Sequence, residues 1–201
     1  MLDPEIKRKS LHLVAAAVPL AVMYLPAAWA LYCLAALAAL SGGVDILKYR
    51  LVLLGRVYTY FFGSILREHE KKGALTGATY FFFSLLLAQA VFVHIAGLPA
   101  QLIAVVYTGF MVGDAAAALT GKRWGRVRLH HTKTLEGSLA FCAAALASTF
   151  WIMPGQIHCP LLSALLLSLS ELMIVKLDDN FFVPLIVLTV LTGLTQKFGL
   201  C

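Results

Sequence analysis

Long apolar runs alternate along the chain with short polar breaks. Seven runs stand out, at 11–25, 27–41, 75–96, 98–119, 137–153, 160–176 and 181–196. A helix that crosses a bilayer needs about 20 apolar residues, with about 17–25 tolerated. The pattern therefore predicts seven transmembrane helices; the first, second and last runs are short on this count, so their ends are the least defined. Pro26, Pro99 and Pro154 mark tight turns at one face. The stretch Asp45 to Leu66 differs, with Lys48, Arg50 and Arg56 set among Leu51, Leu53, Leu54, Tyr58, Tyr60, Phe61 and Phe62. Its uncharged segments are too short to span, so it reads as an amphipathic helix on the membrane interface. The expected fold is all-α and polytopic, one integral membrane domain over residues 1–201.

Charge is distributed unevenly over the breaks. Numbered from the N-terminus, the odd breaks and the span ends beside them hold all ten Asp and Glu, and fifteen of the sixteen Lys and Arg, Lys197 being the exception. The Lys/Arg bias places that face in the cytosol. It predicts an inner-membrane protein with a cytosolic N-terminus. Acidic bias is no part of that rule, and carboxylates among clustered cations point to chemistry on a charged, metal-bound substrate.

Composition agrees with the pattern. The chain is 61% hydrophobic and 13% charged, with mean hydropathy +0.86. Soluble domains are about 45–50% apolar and about 25% charged, so the excess apolar residues need lipid as solvent. The net charge of +6 sits in membrane loops, which argues against nucleic acid as a partner and favours anionic headgroups. Cys33, Cys142, Cys159 and Cys201 show no Cys-x-x-Cys pair, which argues against a disulfide framework or a zinc site. Met1 to Ser10 plus the following apolar run imitates a signal peptide. Apolar sequence continues from Leu31 to Leu40, however, with no polar mature start.

Asp114 is the sharpest single residue, a carboxylate in a run of Gly and Ala. An ionisable group in a span costs at least about 2.5–3.5 kcal/mol at the bilayer centre, so it needs a cation or a metal. Pairing with Lys122 or Lys133 is one solution; ligation of Mg²⁺, which takes one or two carboxylates plus phosphates, is favoured. Gly109, Gly113, Ala117 and Gly121 form a small-residue ridge on the same run. The next loop, with Gly121, Lys122 and Gly125 followed by Lys133, Thr134, Glu136 and Gly137, suits a polyphosphate. It lacks P-loop spacing. Lys133 and Glu136 stand at a helix N-terminus that also favours phosphate. Arg67, His69 and Glu70 lead into Thr76, Gly77 and Thr79, adding hydroxyls and close backbone approach. Asp178 and Asp179 precede the last run, with Glu171 seven residues earlier; such acids hold a metal or act as a base toward a hydroxyl. His12 reads as a surface histidine, and the adjacent His130 and His131 cannot face one site as helical metal ligands.

With these residues in hand, the chain resembles the CTP-dependent lipid-alcohol kinases: dolichol kinase, phytol kinase and the yeast-type diacylglycerol kinase. The resemblance runs through Arg8-Lys9 with His12, Arg67-x-His69-Glu70 into Leu75-Thr76-Gly77-Ala78-Thr79, Gly113-Asp114 to Gly121-Lys122-x-x-Gly125, Lys133 to Ser138, and Asp178-Asp179-Asn180 with Pro184. It implies phosphoryl transfer from a nucleoside triphosphate, typically CTP with Mg²⁺, to a membrane alcohol. The expected roles are Asp114, Asp179 and Glu136 toward the metal, and Lys122 and Lys133 on the triphosphate. Asp179, then Asp178, is the expected base. Phosphatidate cytidylyltransferase is similar in several of these motifs. The chain departs from it between Gly125 and Lys133 and at its acidic end. A small ion-coupled transporter using Asp114 and Glu171 is the reading from another class. The sequence leaves the oligomeric state open.

Overall fold

A computed structural model describes residues 4–130, 133–173 and 178–199. It is almost entirely helical. The first predicted span becomes two helices, α1 (Pro4–Ala15) and α2 (Ala17–Val22). Pro19 explains the break: it has no N–H for the ladder, and its ring crowds the carbonyl of residue 15. The second span runs on to Arg50 as α3 (Ala27–Arg50). Extended backbone at Leu51 then starts α4 (Val52–Phe62), none of whose side chains is buried. The separate amphipathic helix therefore begins at Val52, and Asp45 and Lys48 belong to α3. The short α5 (Glu68–Lys71) precedes α6 (Gly77–Ala88), which continues as a wider π-helical segment, Gln89–Ile95.

The remaining elements are α7 (Ala100–Trp124), strands β1 (Arg128–His130) and β2 (Lys133–Thr134), α8 (Leu135–Ile152), α9 (His158–Met173) and α10 (Asp179–Phe198). The strands form a small antiparallel hairpin pairing Arg128 with Thr134 and His130 with Lys133, an addition to the expected all-α fold. Five helical segments are long and apolar enough to cross a membrane: Ala27–Arg50, Gly77–Ile95, Ala100–Trp124, Leu135–Ile152 and Asp179–Phe198. Of the other predicted spans, the first is divided between two short helices, and the sixth is described only as far as Met173. The end of the sixth, and His131, lie outside the described residues.

α7 is the central helix, packed against α1, α2, α8, α9 and α10. Its predicted ridge faces α8 and α9. A Cβ on Gly109 would come within 2.7 Å of Thr149, and one on Gly113 within 2.8 Å of the Phe141 ring. These glycines let the helices approach closely. Tyr107, Phe81, Phe110, Phe141, Leu34 and Leu85 are fully buried around α7. The Tyr107 hydroxyl meets Ser84 Oγ at 2.6 Å, and Ser84 donates to the Phe181 carbonyl at 2.9 Å. That chain ties α6, α7 and α10 and leaves the buried phenol satisfied. Cys33 and Cys142 are free.

Candidate functional site

α7 delivers Asp114 to a polar cavity at the end of the bundle that carries the cations. The cavity encloses about 350 Å³. Its lining brings together Glu5, Arg8 and Lys9 from α1, Arg67, Asp114, Ala117, Ala118, Gly121 and Lys122 from α7, Lys133, Thr134, Gly137 and Ser138, Glu171 from α9, and Asp179. Eight sequence-predicted site residues thus share one space: Arg67, Asp114, Gly121, Lys122, Lys133, Thr134, Gly137 and Asp179.

The partner of Asp114 is Lys9, which the sequence reading did not assign to the site. Both side chains are buried, and Lys9 Nζ donates directly to Asp114 Oδ2. His12 Nδ1 lies 3.5 Å from the same oxygen. His12 is therefore a half-buried neighbour of the carboxylate, not the surface histidine expected. One helical turn on α1 presents both residues to α7, because i and i+3 share a face. Lys133 donates to Glu171, which is buried on α9. Burial holds the Lys133 ammonium below the ordinary lysine value, against the opposing pull of Asp114 and Asp179. Arg67 reaches Asp178 at 3.6 Å and Asp179 at 4.0 Å, and Arg8 pairs with Glu5 at 2.7 Å.

One wall of the cavity is the junction of the α7 end with the α8 start. Thr134 caps α8 by accepting from the Gly137 N–H at 3.2 Å, so the positive end of an 18-residue helix faces the space. Gly121 abuts Thr134 Oγ1 and the Gly137 Cα; a Cβ there would sit 3.0 Å from that hydroxyl. Gly125 is more constrained, its added Cβ falling 2.7 Å from Thr134 Cγ2. Only small residues let the α7 end and the α8 start form this wall.

Other predicted residues serve neighbouring structure. Gly113 packs on Phe141. Glu136 accepts from the Val127 N–H at 3.2 Å and is outside the cavity lining. Asp178 caps α10, accepting from the Asn180 N–H at 3.1 Å. Burial, then the Asp179 charge, push its carboxyl above the ordinary aspartate value, with Arg67 opposing. His69 is exposed. Glu70 is buried and bridges backbone, accepting from Arg67 N–H at 2.6 Å and Gly77 N–H at 2.9 Å.

A second buried cluster escaped the sequence reading. Asp45 accepts from Lys48 Nζ at 2.6 Å, Thr76 N–H at 2.7 Å, Thr76 Oγ1 at 2.8 Å and Thr79 Oγ1 at 2.6 Å. The signal was present as an Asp–Lys pair at i,i+3 in apolar surroundings. Asp45, Thr76 and Gly77 border a second cavity of about 340 Å³, mainly apolar, whose walls include Leu11, Phe62, Phe81, Phe82 and Met111. Arg8 and Arg67 line both cavities.

Among known proteins, the chain is similar to an uncharacterized protein of Rickettsia prowazekii (strain Madrid E). The two are 26% identical over 146 residues, spanning 72% of this chain and 68% of that protein. No protein-family model matches the chain, and no solved structure matches it.

Proposed function

We propose that the chain is an integral membrane kinase, moving the terminal phosphoryl group of a nucleoside triphosphate, CTP, to the hydroxyl of a lipid alcohol at the cytosolic face. One observation carries this reading: Arg8, Lys9, Arg67, Lys122 and Lys133 converge with Asp114, Glu171 and Asp179 on one cavity at the start of α8. Phosphoryl transfer depends mostly on positioning and charge neutralisation, and these groups supply both. In this reading α1 with α2 is the first of seven crossings and α9 the sixth.

Mg²⁺ suits the donor set. Among the described residues no group of three or more ligating side chains forms a ready-made cage. Mg²⁺, however, is usually held by one or two carboxylates plus substrate phosphates. Asp114 is the carboxylate we assign to it, which leaves Asp179 as the base. When bound, the ion supplies neutralisation of charge on the phosphate oxygens. Lys122 and Lys133 hold the triphosphate, with the α8 N-terminus and the Gly121–Gly137 wall letting backbone N–H groups approach. Lys9 and Lys133 exchange their resting carboxylate partners for substrate oxygens. The lipid hydroxyl oxygen attacks the terminal phosphorus, the bond to the bridging oxygen breaks, and CDP leaves. The hydroxyl proton passes to Asp179. Asp178, engaged as the α10 cap, orients Arg67.

Purified protein, labelled CTP or ATP, Mg²⁺ and a panel of lipid alcohols (polyprenol, phytol-like and diacylglycerol) test the proposal. Labelled lipid phosphate is the expected product. CDP-lipid and pyrophosphate from phosphatidate, with no alcohol phosphorylated, would replace it with the cytidylyltransferase reading. Absence of any nucleotide binding would favour the transporter.

A further inference from the structure

One stretch of surface lies outside both cavities. From Arg123 at the end of α7 to Leu129 in β1, every residue is exposed. The stretch carries Arg123, Arg126 and Arg128 and no acid, and none of these arginines lines either cavity. Interleaved with them are Trp124, Val127 and Leu129, which are 58%, 50% and 46% exposed. The Arg123 guanidinium lies 5.0 Å from the centre of the Trp124 ring.

The positive-inside bias accounts for cations at this end of the bundle, but gives no reason to expose large apolar side chains among them. That apolar surface is continuous with the outside of a membrane helix. The Leu135 N–H donates to the Val127 carbonyl at 2.8 Å. Leu135 and Leu139 are exposed on the first turns of α8, one of the five segments long and apolar enough to cross a membrane. A soluble polyanion would meet the arginines and leave Trp124, Val127 and Leu129 in water. The headgroup layer of a bilayer accommodates both, with phosphates for the guanidiniums and an apolar boundary that favours Trp.

The hairpin also builds the polar cavity. Arg128 of β1 pairs with Thr134 of β2, and Lys133 and Thr134, the whole of β2, line that cavity. β1 thus belongs to the exposed stretch and β2 to the cavity wall, and fixing one strand fixes the other.

We propose that the stretch from Arg123 to Leu129 is a dock for anionic phospholipid of the surrounding leaflet, and that the docked phosphate steadies the hairpin presenting Lys133 and Thr134 to the polar cavity. The dock stands independently of the kinase reading; its consequence for nucleotide affinity rests on that reading.

Trp29→Phe with Trp151→Phe leaves Trp124 as the sole tryptophan, and both replaced residues are exposed. The full-length protein is placed in nanodiscs of phosphatidylcholine with about 30% phosphatidylglycerol, bromine being carried on the acyl chains of one lipid or the other. Per molecule, brominated phosphatidylglycerol should quench Trp124 at least twofold more than brominated phosphatidylcholine, and about 0.5 M salt should remove most of that preference. Arg123→Gln, Arg126→Gln and Arg128→Gln combined should abolish it, and the corresponding triple Arg→Lys variant should keep most of it. Arg50→Gln with Arg56→Gln, which removes two exposed cations outside the hairpin, should leave it unchanged. Phosphatidylglycerol should also slow hydrogen exchange at least threefold in the peptide holding Leu135 and Gly137, whose N–H groups bond Val127 and Thr134, in the parent and not in the glutamine variant. Equal quenching by the two lipids, or a preference that survives the glutamine variant, would overturn the dock. So would a response of Trp124 to heparin with none to either lipid. Unchanged exchange would overturn the link to the cavity. CTP should bind about threefold tighter with phosphatidylglycerol present; if CTP binds in neither lipid while the quenching preference holds, the dock stands and the kinase reading falls. A helical circular-dichroism spectrum and a single size-exclusion peak certify that each variant has folded.

Discussion

Lys9→Met tests the pair at the centre of the site. Lys9 and Asp114 have side chains only 6% and 7% exposed. Methionine keeps the length and apolar stem of lysine but strands the Asp114 carboxylate beside His12. Removing one member of a buried ion pair costs about 3–5 kcal/mol, because the other charge is left uncompensated. For a domain of this size, 1 kcal/mol moves Tm by about 2–4 °C. The expected fall is therefore about 6–20 °C in detergent-solubilised protein. Asp114→Asn alone should cost a similar amount, because Lys9 is then the charge left buried and uncompensated. The double variant, Lys9→Met with Asp114→Asn, should recover more than half of the single loss. A coupling energy of at least 1.5 kcal/mol in the cycle is expected. Fluorescence-monitored unfolding of the four proteins measures it. If Lys9→Met melts within 2 °C of the parent, or the double variant loses the sum of the single losses, the buried-pair argument is wrong. The same variants separate stability from chemistry: the double variant folds but has no carboxylate for the metal, so phosphoryl transfer should stay at least a hundredfold down.

Three further outcomes follow from other parts of the molecule. Gly113→Ala puts a Cβ 2.8 Å from Phe141 and should destabilise by about 1–3 kcal/mol; Gly193→Ala, with nothing within 4 Å, should be neutral or stabilising in the same thermal scan. Lys133 has a depressed value in the free protein, so the unfolded chain binds more protons between that value and about 10.4 and apo stability should rise with pH there. Nucleotide affinity should fall over that window as the ammonium is lost, and Lys133→Arg should carry the alkaline limb to higher pH in a binding titration; a flat profile to pH 10.5 would refute it. Glu70→Ala should cost about 1–3 kcal/mol by orphaning the Arg67 and Gly77 N–H groups, whereas Glu68→Ala, on the exposed side of the same turn, should leave proteolysis near residues 63–75 unchanged.

Much of the helical framework was legible because lipid-facing helices must be apolar over nearly their whole length. The runs at 75–96, 98–119, 137–153 and 181–196 coincide closely with Gly77–Ile95, α7, α8 and α10. The second run was read too short at 41 because Asp45 and Lys48 look like a polar break. Each neutralises the other one turn away, so the helix carries them inside to Arg50. The hairpin was invisible because its strands, three and two residues long, are too brief for alternation to register. The site was legible as a set of residues and not as a set of pairs. Asp114 demanded a cation, but nothing local indicates Lys9, 105 positions away. Glu171 was legible as an acid seven residues before Asp178, and only the packing of α9 brings it to Lys133.

In the proposed reading, the internal pairing of the cavity bears on how a nucleotide arrives. Its lining carries five Lys or Arg and four Asp or Glu, a formal balance of one positive charge, and several of these are already matched to one another. Such a lining casts a weak field into solution despite its density of charge. The incoming phosphates must therefore be recognised at contact, by partner exchange, and not drawn in from afar. Arrival would then be slow and only mildly sensitive to salt, with discrimination residing in dissociation. A resting site closed upon itself in this way also offers little purchase to simple inorganic anions, because none brings a cation to release the carboxylates.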